Sequence, residues 1–425
     1  MKGAALLLFV VFFLAVSLTL VLSIGSGAYD DLARYRVLLS GKQSFYGAES
    51  GIEDAIYRHR TTQNYSNSET FSFGDTSVTV SRTVVVNTYE FHSEGTIRNS
   101  VRSSEAILGI GAGASFNFGL QSGNGGITME NTSSVKGNIF SNGSVEGSGS
   151  NMVYGDVISA GASGRIEEVH ATGSAWAHTI DDSIIDKDAY YQTITGTIVG
   201  GDSYPGSPDQ SATALPITDE QIEEWKEDAE AGGVILSTDP RCSSGTYIIN
   251  TDTTLSPIKI ECNVTVDKTS TDLYLQGSVW IVGNLLTKSS PNIRVDAAAS
   301  GRSIAIIVDN PSNRTTSSKI TFENSSAFYG NGANSYILAI SQNNSSESGG
   351  SETAINAKNS LTGQVLLYAG HGKALVENSA SLKELTAHRI HLQNSAQVEY
   401  ESGLANLLFT SGPGGGFTIT SWEET

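Results

Sequence analysis

The feature that most constrains the fold is a short pattern that recurs after about residue 110. It runs apolar, any residue, apolar, any residue, Asn, Ser or Thr, with another apolar residue a few places later. Alternating apolar side chains suit a short strand with one buried face, and Asn suits the following corner because it tolerates left-handed backbone. The last three asparagines are 19 and 16 residues apart (378−359 and 394−378), which fits single turns of a β-solenoid. The five copies contain Asn131, Asn324, Asn359, Asn378 and Asn394.

This repeat favours a parallel β-helix over a sandwich and predicts that the corner asparagines form a ladder. The composition agrees, because 45 glycines, 8 prolines and 16% charged residues suit short strands joined by tight turns. We expect a mainly β protein with a right-handed solenoid over 111–425, interrupted by an excursion at about 181–240. Within it, Thr218 and Gln221 form a capping-box pattern that begins a helix. That helix would cover an exposed face or edge of the solenoid or dock another subunit.

The N-terminus carries a different signal, an apolar run from Ala4 to Ile24. As a helix it would be about 31 Å long, enough to cross a bilayer. An uncleaved anchor is the favoured interpretation, with a signal-peptidase exit at 26–28 as the alternative. Apolar residues then recur at helical spacing to about Arg60. We therefore expect a transmembrane and stem helix over 1–60 and a small β segment over 61–110.

The residues of this helix resemble those of PilX-type pilus assembly proteins of the type IV pilus system. The sequence Lys2-Gly3-Ala4 precedes the apolar run, and an A-E-x-G element follows at 48–51. The resemblance implies that a prepilin peptidase cuts between Gly3 and Ala4, and that Glu49 and Gly51 form the stem motif. It also implies other pilin-like subunits as partners. Gly47 and Gly51 would allow close backbone approach on one helix face.

One position departs from the pilin pattern, because Leu8 stands where major pilins keep a glutamate. This departure favours a minor component over a major pilin. The solenoid region resembles the bactofilin-like or adhesin-like β-helix, through 364–370 and onward to Tyr400, with 422–424 as its closing segment.

Two cysteines, Cys242 and Cys262, are 20 residues apart (262−242) and lack metal-ligand spacing. In an exported chain they could form a disulfide or remain free. The acidic group at 181–188 has no adjacent basic pair, and the one at 220–230 forms the solvent face of the predicted helix. Both are more easily explained as solvated charge than as catalytic carboxylates. His371 lies between two glycines with no nucleophile at matching spacing. We expect no enzymatic site, no cofactor and no metal.

The net charge of −19 argues against nucleic acid as a partner. We expect a single-pass membrane protein with an extracytoplasmic domain, held by lipid through residues 4–24, at the cell surface or in a pilus. Its predicted function is that of a minor pilin-like subunit that presents the solenoid for adhesion or assembly, with surface polysaccharide or a host surface as further candidate partners. The alternatives are an anchored carbohydrate-binding or carbohydrate-active protein and an envelope scaffold. Stacked aromatic residues along one face would favour carbohydrate, but Trp176, Tyr190, Tyr191 and Trp280 look too scattered.

Overall fold

A computed structural model describes residues 2–60, 68–85, 88–110, 116–299, 301–332, 334–401, 404, 407 and 417–424. The chain divides into two compact units. The N-terminal unit contains 1–111 together with 416–425, and the solenoid unit contains 112–415. The solenoid is therefore inserted, in chain order, between two parts of the N-terminal unit.

The N-terminal unit consists of one long helix and a five-stranded antiparallel sheet. Helix α1 spans Lys2–Arg60. Near its C-terminal end it buries Ala48, Ile52, Ala55 and Ile56, the apolar stripe that packs on the sheet. The strands, in sheet order, are β1 (Ser68–Phe73), β2 (Thr76–Val85), β3 (Thr88–Ile97), β4 (Ser100–Ile110) and β40 (Phe417–Glu424).

The last strand corrects the predicted domain boundary. Residues after 415 were expected in the solenoid, but β40 pairs antiparallel with β4, placing Trp422 opposite Ala106 and Glu424 opposite Ser104. The segment 422–424 therefore completes the N-terminal sheet and does not close the solenoid. A short strand near a chain end shows no preference for a partner that lies more than 300 residues earlier in the sequence (422−106).

The solenoid is built from three-strand coils whose strands stack in parallel, and the prediction of a mainly β solenoid is confirmed. The right-handed sense of the solenoid stays a prediction. We name its three sheets S1, S2 and S3, after the first, second and third strand of each coil. Strands β36 and β38 bend through a corner and belong to both S1 and S2.

The first half of the solenoid runs from β5 to β20. Its strands are β5 (Leu120–Ser122), β6 (Ile127–Met129), β7 (Ser134–Lys136), β8 (Ile139–Ser141), β9 (Val145–Gly147), β10 (Met152–Tyr154), β11 (Val157–Ser159), β12 (Arg165–Glu167), β13 (His170–Ala171), β14 (Ala175–Trp176), β15 (Thr179–Asp181), β16 (Ile184–Ile185), β17 (Ala189–Tyr191), β18 (Thr193–Thr195), β19 (Ile198–Val199) and β20 (Ser203–Pro205).

The second half runs from β21 to β39. Its elements are β21 (Val234–Ile235), the 3₁₀ turn η1 (Pro240–Gly245), β22 (Thr246–Ile249), β23 (Thr253–Leu255), β24 (Ile258–Ile260), β25 (Asn263–Asp267), β26 (Asp272–Leu275), β27 (Val279–Ile281), β28 (Leu285–Lys288), β29 (Asn292–Val295), η2 (Ala297–Ala299), β30 (Ile304–Val308), β31 (Ile320–Phe322), β32 (Ala327–Tyr329), β33 (Ile337–Ser341), β34 (Thr353–Ala357), β35 (Thr362–Gly363), β36 (Val365–Val376), β37 (Ser381–Leu382), β38 (Glu384–Leu392) and β39 (Gln397–Glu399).

The chain enters the solenoid in its middle. The first coil (β5–β7) stacks on the last coil (β38 and β39) on one side and on β8–β10 on the other. The first half builds outward from this seam to β20, and the second half starts at the far end with β21 and returns to the seam. Entry and exit lie together, since the Phe116 amide donates to the Leu404 carbonyl at 3.2 Å.

Residues 206–217, which we call the strap, run from the β20 end along the outside of the coils, and the helix that follows continues the path to the β21 end. The strap bonds to successive coils: Gln192 Nε2 donates to the Ser207 carbonyl at 2.6 Å, and Gln121 Nε2 donates to the Ala214 carbonyl at 2.9 Å. Helix α2 (Asp219–Ala231) follows. The predicted excursion at 181–240 was therefore too long, because ordered coils continue to Pro205 and resume at Val234. Short Thr-, Ile- and Asp-containing strands at 179–205 did not resemble the longer apolar repeats.

The solenoid has two apolar layers. The interior holds the alternating residues of the three sheets, as in Ile166, Ile180 and Ile194, which lie in register on successive coils. A second cluster lies outside S1, where Ile222 and Trp225 of α2 pack with Ile307 and Ile340. This layer is the reason that S1 strands such as β30 and β33 are buried on both faces.

Candidate functional site

Helix α1 exposes a continuous apolar surface over most of its length. In the predicted lipid segment 4–24 the large apolar side chains of Leu7 and of Phe9 to Ile24 are exposed, and this helix is long and apolar enough to cross a membrane. Gly3 and Ala4 lie in its first turn. Cleavage between them stays a prediction.

The exposed apolar surface continues beyond the lipid segment. Tyr29, Leu32, Tyr35 and Leu38 are all at least 48% exposed, whereas side-chain burial against the sheet begins at Ser40. Residues 25–39 correspond to about 22 Å of helix. Apolar side chains at this density are costly to leave in water, so this stretch is suited to contact other helices.

The predicted stem motif occupies the contact between α1 and the sheet. Ser104 Oγ of β4 donates to Glu49 Oε1 at 2.7 Å, and Trp422 Nε1 of β40 donates to both carboxylate oxygens of Glu49 at 3.0 and 3.1 Å. Glu49 therefore joins the stem to two strands, one of which is the C-terminal strand. Hydrogen bonds to an ionised carboxylate are stronger than bonds between neutral groups.

The glycines of the motif allow the helix to approach the sheet closely. A Cβ atom at Gly51 would lie 2.7 Å from Val78 Cγ1, and one at Gly47 would lie 2.6 Å from Thr76 Cγ2. Gly95 of β3 meets the helix backbone in the same way, at the Ser44 carbonyl. Any larger residue at these positions would force the helix and the sheet apart.

The corner asparagines of the solenoid are stacked. Asn378 Nδ2 donates to Asn359 Oδ1 at 3.2 Å, Asn394 to Asn378 at 3.3 Å, and Asn131 to Asn394 at 3.2 Å. The ladder therefore crosses the seam between the last and first coils. All five asparagines have positive φ, between 48° and 57°. Asn324 joins through the backbone, where the Ser325 amide donates to the Asn359 carbonyl at 2.7 Å.

Cys242 and Cys262 form a disulfide, with Cα atoms 5.9 Å apart. Cys242 lies in η1 of the coil that contains β21, and Cys262 lies between β24 and β25 of the next coil. Both residues are buried. The bond links the coil at the β21 end to its neighbour, and among the described strands β21 pairs only with β24.

Helix α2 is held to the solenoid by a buried ionic network. Lys226 Nζ bonds Asp309 Oδ2 at 2.8 Å and Arg314 Nε bonds Asp309 Oδ1 at 2.8 Å, while Lys226 also lies 4.7 Å from the Trp280 ring centroid. The Asp309 and Lys226 side chains are 0% and 4% exposed. Burial alone would raise the pKa of Asp309, but hydrogen bonds from Arg314 and Lys226 outweigh it and lower that pKa. Sequence reasoning missed this network because its members are far apart in the chain.

His371 also contacts α2. Its Nε2 lies 3.0 Å from Asp219 in the first turn of α2, and its Nδ1 lies 2.6 Å from Glu347. A fully buried carboxyl, Glu384, accepts from Thr386 Oγ1 at 2.6 Å, and burial raises its pKa well above the usual range. No group of three or more metal-ligating side chains lies together in the described ranges.

Two of the four aspartates in the acidic group at 181–188 are paired with basic residues. Asp181 Oδ2 accepts from Arg165 Nε at 3.0 Å, and Asp186 lies 3.1 Å from His170 Nε2. The sequence had suggested no adjacent basic partner, because Arg165 and His170 lie on a neighbouring coil. These contacts resemble structural ion pairs on a solenoid surface.

The aromatic residues are less scattered than the sequence suggested. Trp176, Tyr190 and Tyr204 are paired in register on β14, β17 and β20 of S1. Their rings are stacked, with centroids 4.9 and 4.6 Å apart and interplanar angles of 3° and 5°. Their spacing of 14 residues (190−176 and 204−190) is the signal that could have revealed this column. The expectation that no aromatic stack exists was wrong.

Comparison with known proteins adds little to this geometry. No protein-family model matches the chain, and no curated protein matches it. Among solved structures, the competence-associated pilin ComZ from Thermus thermophilus aligns with 91% of this chain and 97% of its own, at 11% identity and a TM-score of 0.35. At these values the likeness establishes neither the family nor the function, so the PilX-type and bactofilin-like resemblances rest on the residues quoted above.

Proposed function

We propose that this chain is a minor pilin-like subunit that is anchored by α1 and displays an inserted β-solenoid outside the cell. The observation that carries the proposal is that two parts of α1 differ in what they contact. One part exposes large apolar side chains along its length, and the other packs closely on a sheet through Gly47, Glu49 and Gly51. A helix that served only as a membrane anchor would not need the exposed apolar stretch between Tyr29 and Leu38.

The insertion supports a role in display. The solenoid leaves the N-terminal unit after β4 and the chain returns to form β40, so both of its ends are tethered to the same small sheet. More specifically, we propose that the solenoid adheres to a surface polysaccharide or a host surface.

The first test is the mature N-terminus, determined by mass spectrometry of native protein from membrane and sheared-filament fractions. We expect a chain that begins at Ala4 and is present with filaments. A chain that begins at Met1 and remains in the membrane would support an envelope scaffold instead. A chain that begins after Ala28 and is released would contradict anchoring by α1.

A second test probes the exposed part of the stem with introduced cysteines. Leu32→Cys is expected to cross-link in cells to another subunit that carries an apolar N-terminal helix, identified by mass spectrometry. Ile248→Cys is the matched control, because Ile248 is 55% exposed and Leu32 48% exposed, but Ile248 lies in the solenoid. Equal cross-linking of both variants to the same product, or none from Leu32→Cys, would argue against helix-to-helix assembly.

A further inference from the structure

The solenoid ends at β20, where Tyr204 is the last ring of a stacked aromatic column among the described residues. Trp176, Tyr190 and Tyr204 form a column of parallel rings at the spacing of the coils. In this column Tyr190 has a ring on each side. Tyr204 lies on the last strand of S1 at this end, is 40% exposed, and no strand stacks beyond it in the described ranges.

A second series of contacts ends on the same coil. At the corner that precedes S1, a side-chain oxygen accepts the backbone N–H of the next coil. Asn138 Oδ1 accepts from the Asp156 amide at 2.9 Å, Asp156 Oδ1 from the Ser174 amide at 2.8 Å, and Asp188 Oδ1 from the Asp202 amide at 2.9 Å. Asp202 is the last member, and it is exposed. Its carboxylate has no further coil among the described residues from which to accept.

The column of stacked rings and the row of corner hydrogen bonds end next to each other. Asp202 and Tyr204 are two residues apart on one strand and its preceding corner. The charge of Asp202, followed by burial and the charge of Asp188, raises the pKa of Tyr204, and a hydrogen bond to Asp202 contributes in the same direction. The opposite border of the column is the strap, where Ser207 Oγ donates to the Tyr204 carbonyl at 2.7 Å. The end coil therefore presents one flat ring face flanked by a carboxylate and by fixed polar backbone.

A ligand that completes both series must offer a flat, weakly polar face and hydrogen-bond donors at its edge. A saccharide ring does both, because its C–H face packs on an aromatic face while its hydroxyls donate to a carboxylate. A purely apolar ligand would desolvate Asp202 without a partner. A second copy of this end would bring Asp202 and Asp188 against the same residues, and like charges disfavour that contact.

We propose that the β20 end of the solenoid binds a saccharide, with one sugar ring stacked on the free face of Tyr204 and a hydroxyl donating to Asp202. The site lies within the solenoid and does not depend on whether the chain enters a pilus. It deepens the adhesive part of the proposed function by giving a polysaccharide a defined binding site, and the N-terminal sequence of the native protein tests the pilin part separately.

The test uses the full chain in lipid nanodiscs on an array of neutral and acidic oligosaccharides, followed by titration of the best-bound oligosaccharide by NMR. We expect binding, with upfield shifts of the sugar C–H protons that lie over the ring. Tyr204→Ala should weaken binding at least tenfold, Tyr204→Trp should preserve it, and Asp202→Asn should weaken it several-fold. Tyr154→Ala is the matched control, because Tyr154 is 51% exposed on S3, outside the column, and should bind as the wild type does.

Tyr204 lies on a terminal strand, so the variants should retain the thermal unfolding of the wild type, which is checked by circular dichroism. Failure of the wild type to bind any glycan at millimolar concentration would overturn the proposal. So would equal binding by Tyr204→Ala, or a shift by Tyr204→Ala from dimer to monomer without any effect on glycans, which would identify a second copy as the occupant.

Discussion

Each unit places a helix on the outside of a sheet, but the two contacts use different chemistry. Helix α1 approaches its sheet through Gly47 and Gly51, so shape governs the packing. Helix α2 approaches S1 with a large residue, Trp225, and an ionic network centred on Asp309. Small residues fix the distance between helix and sheet, whereas a buried charge also fixes the position of the helix along the sheet.

The largest expected effect comes from breaking the ionic contact of α2. Asp309→Asn leaves Lys226 buried with only the half-exposed Glu223 and the Trp280 ring as partners. We expect a loss of about 3 kcal/mol in the free energy of unfolding of the solenoid, measured by denaturant titration, with increased hydrogen exchange in α2. Glu399→Gln, which breaks the exposed pair between Lys136 and Glu399, is the control and should have a much smaller effect. Equal effects would mean that burial does not govern the Asp309 contact.

The close approach of α1 is tested by two glycine substitutions on the same helix. Gly51→Ala places a Cβ against Val78 and Val80 and should destabilise the N-terminal unit by about 1–3 kcal/mol. Gly41→Ala meets only Ser100 Oγ, at 3.9 Å, and should stabilise the helix by up to about 1 kcal/mol. Opposite signs in thermal unfolding are therefore expected. If both variants gain stability, the helix and the sheet are not in close contact at Gly51.

The contrast between the units also explains which features could be predicted from the sequence. The solenoid was predictable because five of its coils repeat a local rule, in which alternate apolar residues precede Asn in left-handed backbone. Glu49 and Gly51 were singled out because one helical segment resembles PilX-type proteins, and their role as a stem motif stays a prediction. The seam, the strand β40 and the Asp309 network were not predictable, since each depends on contacts between residues distant in the sequence. Asn131 and Asn394, for example, are 263 residues apart.

The aromatic column was only partly predictable from the sequence. Trp176, Tyr190 and Tyr204 repeat at a regular interval, but each copy lies in a strand of only two or three residues without an Asn corner. The interval is visible only once the coil length in this region is known. Residues that follow the coil period without matching the dominant repeat are therefore the ones that sequence reasoning overlooks.

Two substitutions at Asn378 separate the stability contributed by its left-handed backbone conformation from that contributed by its side-chain amide. Asn378→Ala should cost about 1–2 kcal/mol, because alanine disfavours the left-handed φ of 56° and also removes the ladder bonds to Asn359 and Asn394. Asn378→Gly keeps the conformation accessible and should lose less, about 1 kcal/mol from the missing hydrogen bonds. The difference between the variants, measured by denaturant titration, reports the conformational part. If the glycine variant were as unstable as the alanine variant, the amide ladder alone would explain the choice of Asn.

The smallest expected effect is the pH dependence of the contact between α2 and His371. Asp219 and Glu347 accept hydrogen bonds from His371, while His388 and Arg389 lie near the group. Burial alone would lower the pKa of His371, but the two carboxylates outweigh it and raise that pKa. The stabilisation by protonated His371 is therefore fully present below its unfolded pKa of about 6.5 and is lost as the pH rises through the folded value.

We therefore compare the thermal unfolding of the wild type with that of His371→Gln at about pH 5.5 and about pH 8.5. The variant should be less stable than the wild type at the lower pH, by less than about 1 kcal/mol because both carboxylates are partly exposed, and the difference should shrink at the higher pH. Using the difference between two proteins at each pH cancels the titration of the other carboxylates. A difference that grew with pH would mean that His371 acts as a neutral hydrogen-bond partner. In that case the contact of α2 would depend on charge at Asp309 but not at His371.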